Sequence, residues 1–135
     1  MVIAVSPPVI AIVGSRTFVN PNNARTAVEA AVARIAARHP TATIVSGGAA
    51  GVDTWAEQAA ARHGLSCIVF RPDWDKHGRA AGFIRNTEIV KAASHVLGFH
   101  NGHSRGTADS LRKARETGKP TRVWVENEGN SGGVI

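Results

Sequence analysis

The chain has 135 residues, 43% hydrophobic and 19% charged, with sixteen Lys and Arg against ten Asp and Glu and a formal charge of +6 at pH 7. That size and balance fit one globular domain with a real core, and the positive charge favours an anionic partner such as a nucleotide, a nucleic acid or an acidic surface. The basic residues are scattered from Arg16 to Arg122, with one tight cluster at Arg112, Lys113 and Arg115, so no basic arm points to nucleic acid.

The apolar segment Met1 to Val13 is broken by Ser6-Pro7-Pro8 and has neither a basic leader nor the length of a membrane span. A cytoplasmic protein without a membrane partner is expected. Val9-Ile10-Ala11-Ile12-Val13 reads as a strand covered on both faces, stopped by Gly14-Ser15-Arg16. A helix then starts at Asn20-Pro21, with Asn20 as the cap and Ala24, Val28, Ala31 and Ile35 at spacings of three and four, before Pro40.

The second strand, Ala42 to Ser46, opens into Ser46-Gly47-Gly48-Ala49-Ala50-Gly51-Val52-Asp53 and a helix ended by Gly64. This is the most informative stretch. Glycines let backbone approach a ligand closely, and the amides and positive dipole end of the next helix favour an anion. The third strand, Ser66 to Arg71, contains the single cysteine, Cys67, which reads as an inert, buried core thiol; one cysteine excludes an internal disulfide framework and fits a reducing interior.

A long loop, Pro72 to Arg79, carries Trp74 and leads to a helix of about a dozen residues near Ala81 to Ala93. In that helix Phe83, Ile84, Ile89 and Val90 are expected to face the core, and Arg85, Asn86 and Glu88 the solvent or a crevice. The fourth strand lies near His95 to Phe99, followed by the turn Asn101 to Thr107 and a helix ended by Gly118-Lys119-Pro120. The fifth strand is Thr121 to Glu126. Residues 1–126 are expected to form the domain and 127–135 a flexible tail.

Five alternations of strand and helix predict an α/β, three-layer, open parallel sheet in the order 3-2-1-4-5. Winding then reverses between strands 1 and 4, and the glycine-containing turns after strands 1, 2 and 4 converge on one edge. Gly14, Ser15, Arg16, Ser46, Gly47, Gly48, Ala49, Gly51, Ser104, Arg105, Gly106 and Thr107 are the candidate phosphate-binding residues. Asp53 serves equally as a ribose contact, a general base or an ordinary acid at a helix start. Trp74 either stacks on a base or anchors its own loop. Trp55 and Trp124 read as packing residues. The six histidines lack a repeated ligand spacing, so no metal is expected.

Four ordered motifs make the chain resemble the SLOG superfamily, in particular its small YspA or YpsA-related members: Gly14-Ser15-Arg16-Thr17-Phe18, Ser46 to Ala56, Pro72 to Asn86, and Ser104 to Asp109. The resemblance implies a Rossmann-like sheet that binds nucleotides or nucleotide-derived molecules, in phage or bacterial conflict and signalling, with no further cofactor. Arg16 and the Gly47 to Gly51 and Ser104 to Thr107 backbones would hold phosphate, with Asp53 on ribose and Trp74, Arg85 and Asn86 closing over the ligand. A homodimer is compatible with this reading.

The DNA-processing protein DprA is similar in the Gly-Ser-Arg turn and the Ser46 to Asp53 loop, which implies single-stranded DNA binding as an alternative. The LOG phosphoribohydrolases share the nucleotide fold, and Arg85 resembles their helical arginine. Their catalytic Glu falls at Ser110, however, with Asp109 one residue early, a rotation of about 100° on a helix. That leaves Asp53, Arg85 and Asp109 as candidates for N-glycosidic hydrolysis and weakens that alternative.

Overall fold

The computed structural model describes residues 6–126 and the backbone of 133–134. β1 (Val9–Gly14) forms because its continuous apolar run can be buried on both sides, and it occupies the middle of the sheet. Parallel neighbours β2 (Thr43–Ser46) and β4 (His95–His100) flank it, with β3 (Ser66–Val69) outside β2 and β5 (Thr121–Val125) outside β4. The five parallel strands take the order 3-2-1-4-5. A short sixth strand, β6 (Gly133–Val134), pairs antiparallel with β5, inside the segment expected to be tail. Positions 127–132 and 135 of that segment lie outside the described residues.

α1 (Pro21–Arg38) and α2 (Val52–Arg62) cover one face, where Ile10, Ile12 and Ile44 meet Val28, Val32, Ala56 and Ala60. α4 (Ala81–Ala92) and α5 (Arg105–Glu116) cover the other, against Ala11, Val13, Val45 and Val96. Alternate residues of β1 therefore belong to different cores, as the period of two requires. Trp55 and Trp124 pack as expected, both against Phe18, with ring centroids 6.0 and 6.1 Å away. Among the described residues no helix is long and apolar enough to cross a membrane.

Four local expectations are corrected. Cys67 is exposed, because β3 is a sheet edge and three of its four residues face solvent. Phe83 is exposed too, since α4 buries Asn86, Ile89 and Val90 instead. The loop after β3 folds into α3 (Trp74–His77), capped where the Lys76 amide donates to Asp73 Oδ1 at 3.1 Å, and a 3-10 turn, Gly78–Ala80. Asn20 does precede α1, but its side chain caps nothing. The Glu126 carboxylate, at the end of β5, instead accepts from the Val19 and Asn20 amides at 2.9 Å each.

Candidate functional site

The turns after β1, β2 and β4 meet at the carboxyl edge of the sheet. The Ser15 amide donates to Phe99 O at 3.0 Å, and the Val52 amide donates to Ser15 O at 3.3 Å, so the β2 turn docks on the β1 turn. Gly51 makes that contact attainable: its φ is +77°, and a Cβ there would lie 2.6 Å from Arg16 O and 2.7 Å from Ser15 O. Ser15 is buried beneath the junction, where its hydroxyl accepts from the Asn101 amide at 3.0 Å and pairs with Thr107 Oγ1 at 3.3 Å.

The β4 turn is wound around one side chain. Asn101 Oδ1 accepts from the amides of His103 and Ser104, at 2.8 and 2.9 Å, while Nδ2 donates to Thr17 O at 2.9 Å. Ser104 then caps α5, its hydroxyl accepting from the Thr107 amide at 3.2 Å and from Thr107 Oγ1 at 2.9 Å. The amides of Arg105 and Gly106, at the first two helical positions, have no acceptor among the described residues. They supply the positive end of α5 to whatever lies in front of them.

A cleft of about 420 Å³ opens there. Gly14, Arg16, Thr17, Ala49 and Asp53 form one side, and Asn101, His103, Ser104, Gly106 and Thr107 another. Arg79, Gly82, Phe83, Arg85 and Asn86, with Trp74, form the third. Trp74 and Phe83 are half-exposed, at 53% and 45%.

Asp53 is the buried acid of the cleft, 7% exposed, with Oδ2 accepting from the Ala49 amide at 3.1 Å. Burial raises its carboxyl to about 6, against the opposing pull of the Ala49 amide and the nearby Arg85 cation. Arg85 Nη1 donates to Gly47 O and Nε donates to Asn86 Oδ1 at 3.1 Å. Gly47 is the spacer between the two charges: a Cβ there would sit 2.6 Å from Arg85 Nη1 and 2.9 Å from Asp53 Oδ2.

Asn86 is buried and ties α4 to α5. Its Nδ2 donates to Gly106 O at 3.3 Å and to Asp109 Oδ2 at 3.1 Å. Burial works against ionisation of Asp109, but hydrogen bonds from Lys113, Asn86 and Arg112 outweigh it and hold the carboxyl below its ordinary range. Asp109 faces this network and is not among the residues lining the cleft; Ser110, one position on, is.

Ten of the residues singled out in the sequence thus line one cleft: Gly14, Arg16, Ala49, Asp53, Trp74, Arg85, Asn86, Ser104, Gly106 and Thr107. Ser15 lies beneath it, and Ser46 is buried with its hydroxyl donating to Glu57 Oε2 at 2.6 Å. Gly47, Gly48 and Gly51 shape the β2 turn without lining the space, and the exposed Arg105 side chain lies outside it. Thr17, Arg79, Asn101 and His103 join the lining without having been singled out. The Gly14 to Phe18 and Asn101 to Thr107 turns carried a signal for three of them, and the Pro72 to Asn86 motif for Arg79.

The chain belongs to the YspA, cpYpsA-related SLOG family, whose model matches residues 8–77. It is 36% identical over 118 residues to the gene 61 protein of Mycobacterium phage D29, across 82% of this chain and 91% of that one. In fold it is similar to DNA processing protein A of Helicobacter pylori, a protein described by its single-stranded DNA binding mode, with a TM-score of 0.68 at 22% identity over 88% of the chain. DprA of Streptococcus pneumoniae superimposes with a TM-score of 0.73 at 20% identity over 92% of the chain. The chain spans 65% and 52% of those two DprA chains.

Proposed function

We propose that the cleft binds a nucleotide or nucleotide-derived anion, of the nucleoside phosphate, NAD or ADP-ribose type. The observation that carries this is the meeting, in one cleft, of the unpartnered Gly106 amide at the start of α5 with Arg16, Arg79 and Arg85 and with two half-exposed aromatic rings. Phosphate suits the helix end and the guanidiniums, which make charge-assisted and bidentate bonds. A base suits Trp74 or Phe83, and a ribose hydroxyl can donate to Asp53 between them. The cleft volume falls within the range of about 300–1,000 Å³ usual for small-molecule sites. In a family with a phage relative, such a domain would act as a sensor in conflict or signalling.

The test is mass spectrometry of ligand released from purified protein, with thermal shifts in AMP, NAD and ADP-ribose. A ligand at 100 times its Kd stabilises by about 2.7 kcal/mol, and Arg16→Ala removes most of that gain. No released nucleotide and no shift with any of the three overturns the reading.

A second reading, N-glycosidic hydrolysis, is favoured by Asp53 alone: a cleft acid raised to about 6 is ionised at pH 7 and basic enough to orient water. It predicts free base on incubation with nucleoside monophosphates, abolished in Asp53→Asn.

A further inference from the structure

A second cavity, of about 230 Å³, opens on the far side of Arg85. Arg85 is the one side chain that lines both spaces. Around the second stand Arg71, Lys76 and His77, with Asp73 and Glu88 as the acids. Arg71, Lys76 and Arg85 are three cations against those two carboxylates, so the balance of charge facing the space is positive.

The two guanidiniums are set by neighbouring carbonyls of the β2 turn. Arg85 Nη1 donates to Gly47 O, and Arg71 Nη1 donates to Gly48 O at 3.5 Å. Gly48 lets Arg71 lie against the backbone: its φ is +74°, and a Cβ would come within 2.7 Å of Arg71 Nη1. Arg85 Nη2, Arg71 Nε and Nη2, and the Lys76 ammonium have no hydrogen-bond acceptor among the described residues. Guanidiniums with spare N–H groups form the fork that binds phosphate oxygens.

At about 230 Å³ the cavity is below the usual size of a small-molecule pocket, and its walls are charged, so it suits a phosphate group better than a base. We infer that it is a second phosphate subsite, and that the ligand of the neighbouring cleft carries two phosphate groups, both within reach of the Arg85 guanidinium. This rests on the nucleotide reading of the cleft and narrows it to nucleotide ligands that carry two phosphate groups. The second phosphate comes either from a phosphodiester, as in a 5'-phosphorylated dinucleotide, or from a pyrophosphate, as in ADP-ribose.

Calorimetric titration of the full chain with AMP, 5'-phosphorylated diadenylate and ADP-ribose tests this in the parent, Arg71→Ala and Lys76→Ala. Both substituted side chains are exposed, so unchanged melting temperatures are expected. One of the two-phosphate ligands should bind about tenfold tighter than AMP, and which of them does so identifies the linkage. Each variant should lose most of that advantage while its AMP affinity stays within about twofold. If AMP binds but neither larger ligand binds tighter, or if both variants weaken AMP and the larger ligands equally, the second subsite is overturned while the cleft reading stands. Absence of binding by all three overturns both.

Discussion

Asn86 has one orientation open to it. Its Nδ2 faces two acceptors, Gly106 O and the ionised Asp109, which leaves Oδ1 toward Arg85 Nε. The side chain therefore holds the cleft arginine in place from its own position on the lining. Asn86→Leu fills the same volume without the amide; it should cost about 1–3 kcal/mol by urea unfolding and weaken nucleotide binding about tenfold. Asn86→Asp sets a carboxylate against Asp109 and should lose more stability at pH 8 than at pH 5, where a proton can be shared. Equal losses at both pH values would show that Asp109 does not govern this position. Asp53 behaves in the opposite sense. Its folded pKa, about 6, lies above the ordinary 3.8, so its contribution to stability is full below pH 4 and lost as pH rises through 6. Asp53→Asn should therefore be more stable than the parent by about 2–3 kcal/mol at pH 8, with the gain vanishing near pH 4. A gain independent of pH would mean that burial of this carboxylate is not what strains the fold.

The β2 turn and the β1 turn make the cleft only as a docked pair, and Gly51 is the point of contact. Gly51→Ala must place a methyl within 2.7 Å of two carbonyl oxygens at φ +77°, whereas Gly102, at φ +91°, has nothing within 4 Å of its Cβ position. Gly102→Ala should cost about 1–2 kcal/mol, for the backbone alone. Gly51→Ala should cost visibly more by chemical denaturation and also abolish nucleotide binding, because the clash separates the two turns. Comparable costs at both positions would contradict the docking. The glycines, the strand order and three of the converging turns were legible in the sequence because runs of β-branched residues and helical spacing are local signals. Cys67 and Phe83 were not, since their exposure depends on β3 being an edge and on which face α4 turns inward. Nor was α3: a single four-residue turn carries no period. Arg79 and His103 joined the cleft from segments whose path is set only in three dimensions, and Ser46 left it because Glu57, eleven residues away, takes its hydroxyl.

At the scale of the whole molecule, +6 of charge is spread rather than gathered. Arg25 and Arg62 share Glu29 on the α1 and α2 face, and Arg112 is held by Asp109 and Glu116 on α5. The Arg and Lys side chains that line the two cavities are Arg16, Arg79 and Arg85 in the cleft and Arg71 and Lys76 beyond it, around the carboxyl end of the sheet. Such an arrangement can neutralise about two phosphates at once, which single-strand counterion release converts to a slope of log Kd against log salt near 1.4. That slope should appear with a 5'-phosphorylated dinucleotide and stay between about 1 and 2 when the strand is lengthened to twenty nucleotides, if the two cavities alone take up phosphate. A slope rising to about 4 or more with strand length would show that the surface follows a long strand, as expected of a single-stranded DNA binder, and would move the function from capture of a small ligand to coverage of DNA.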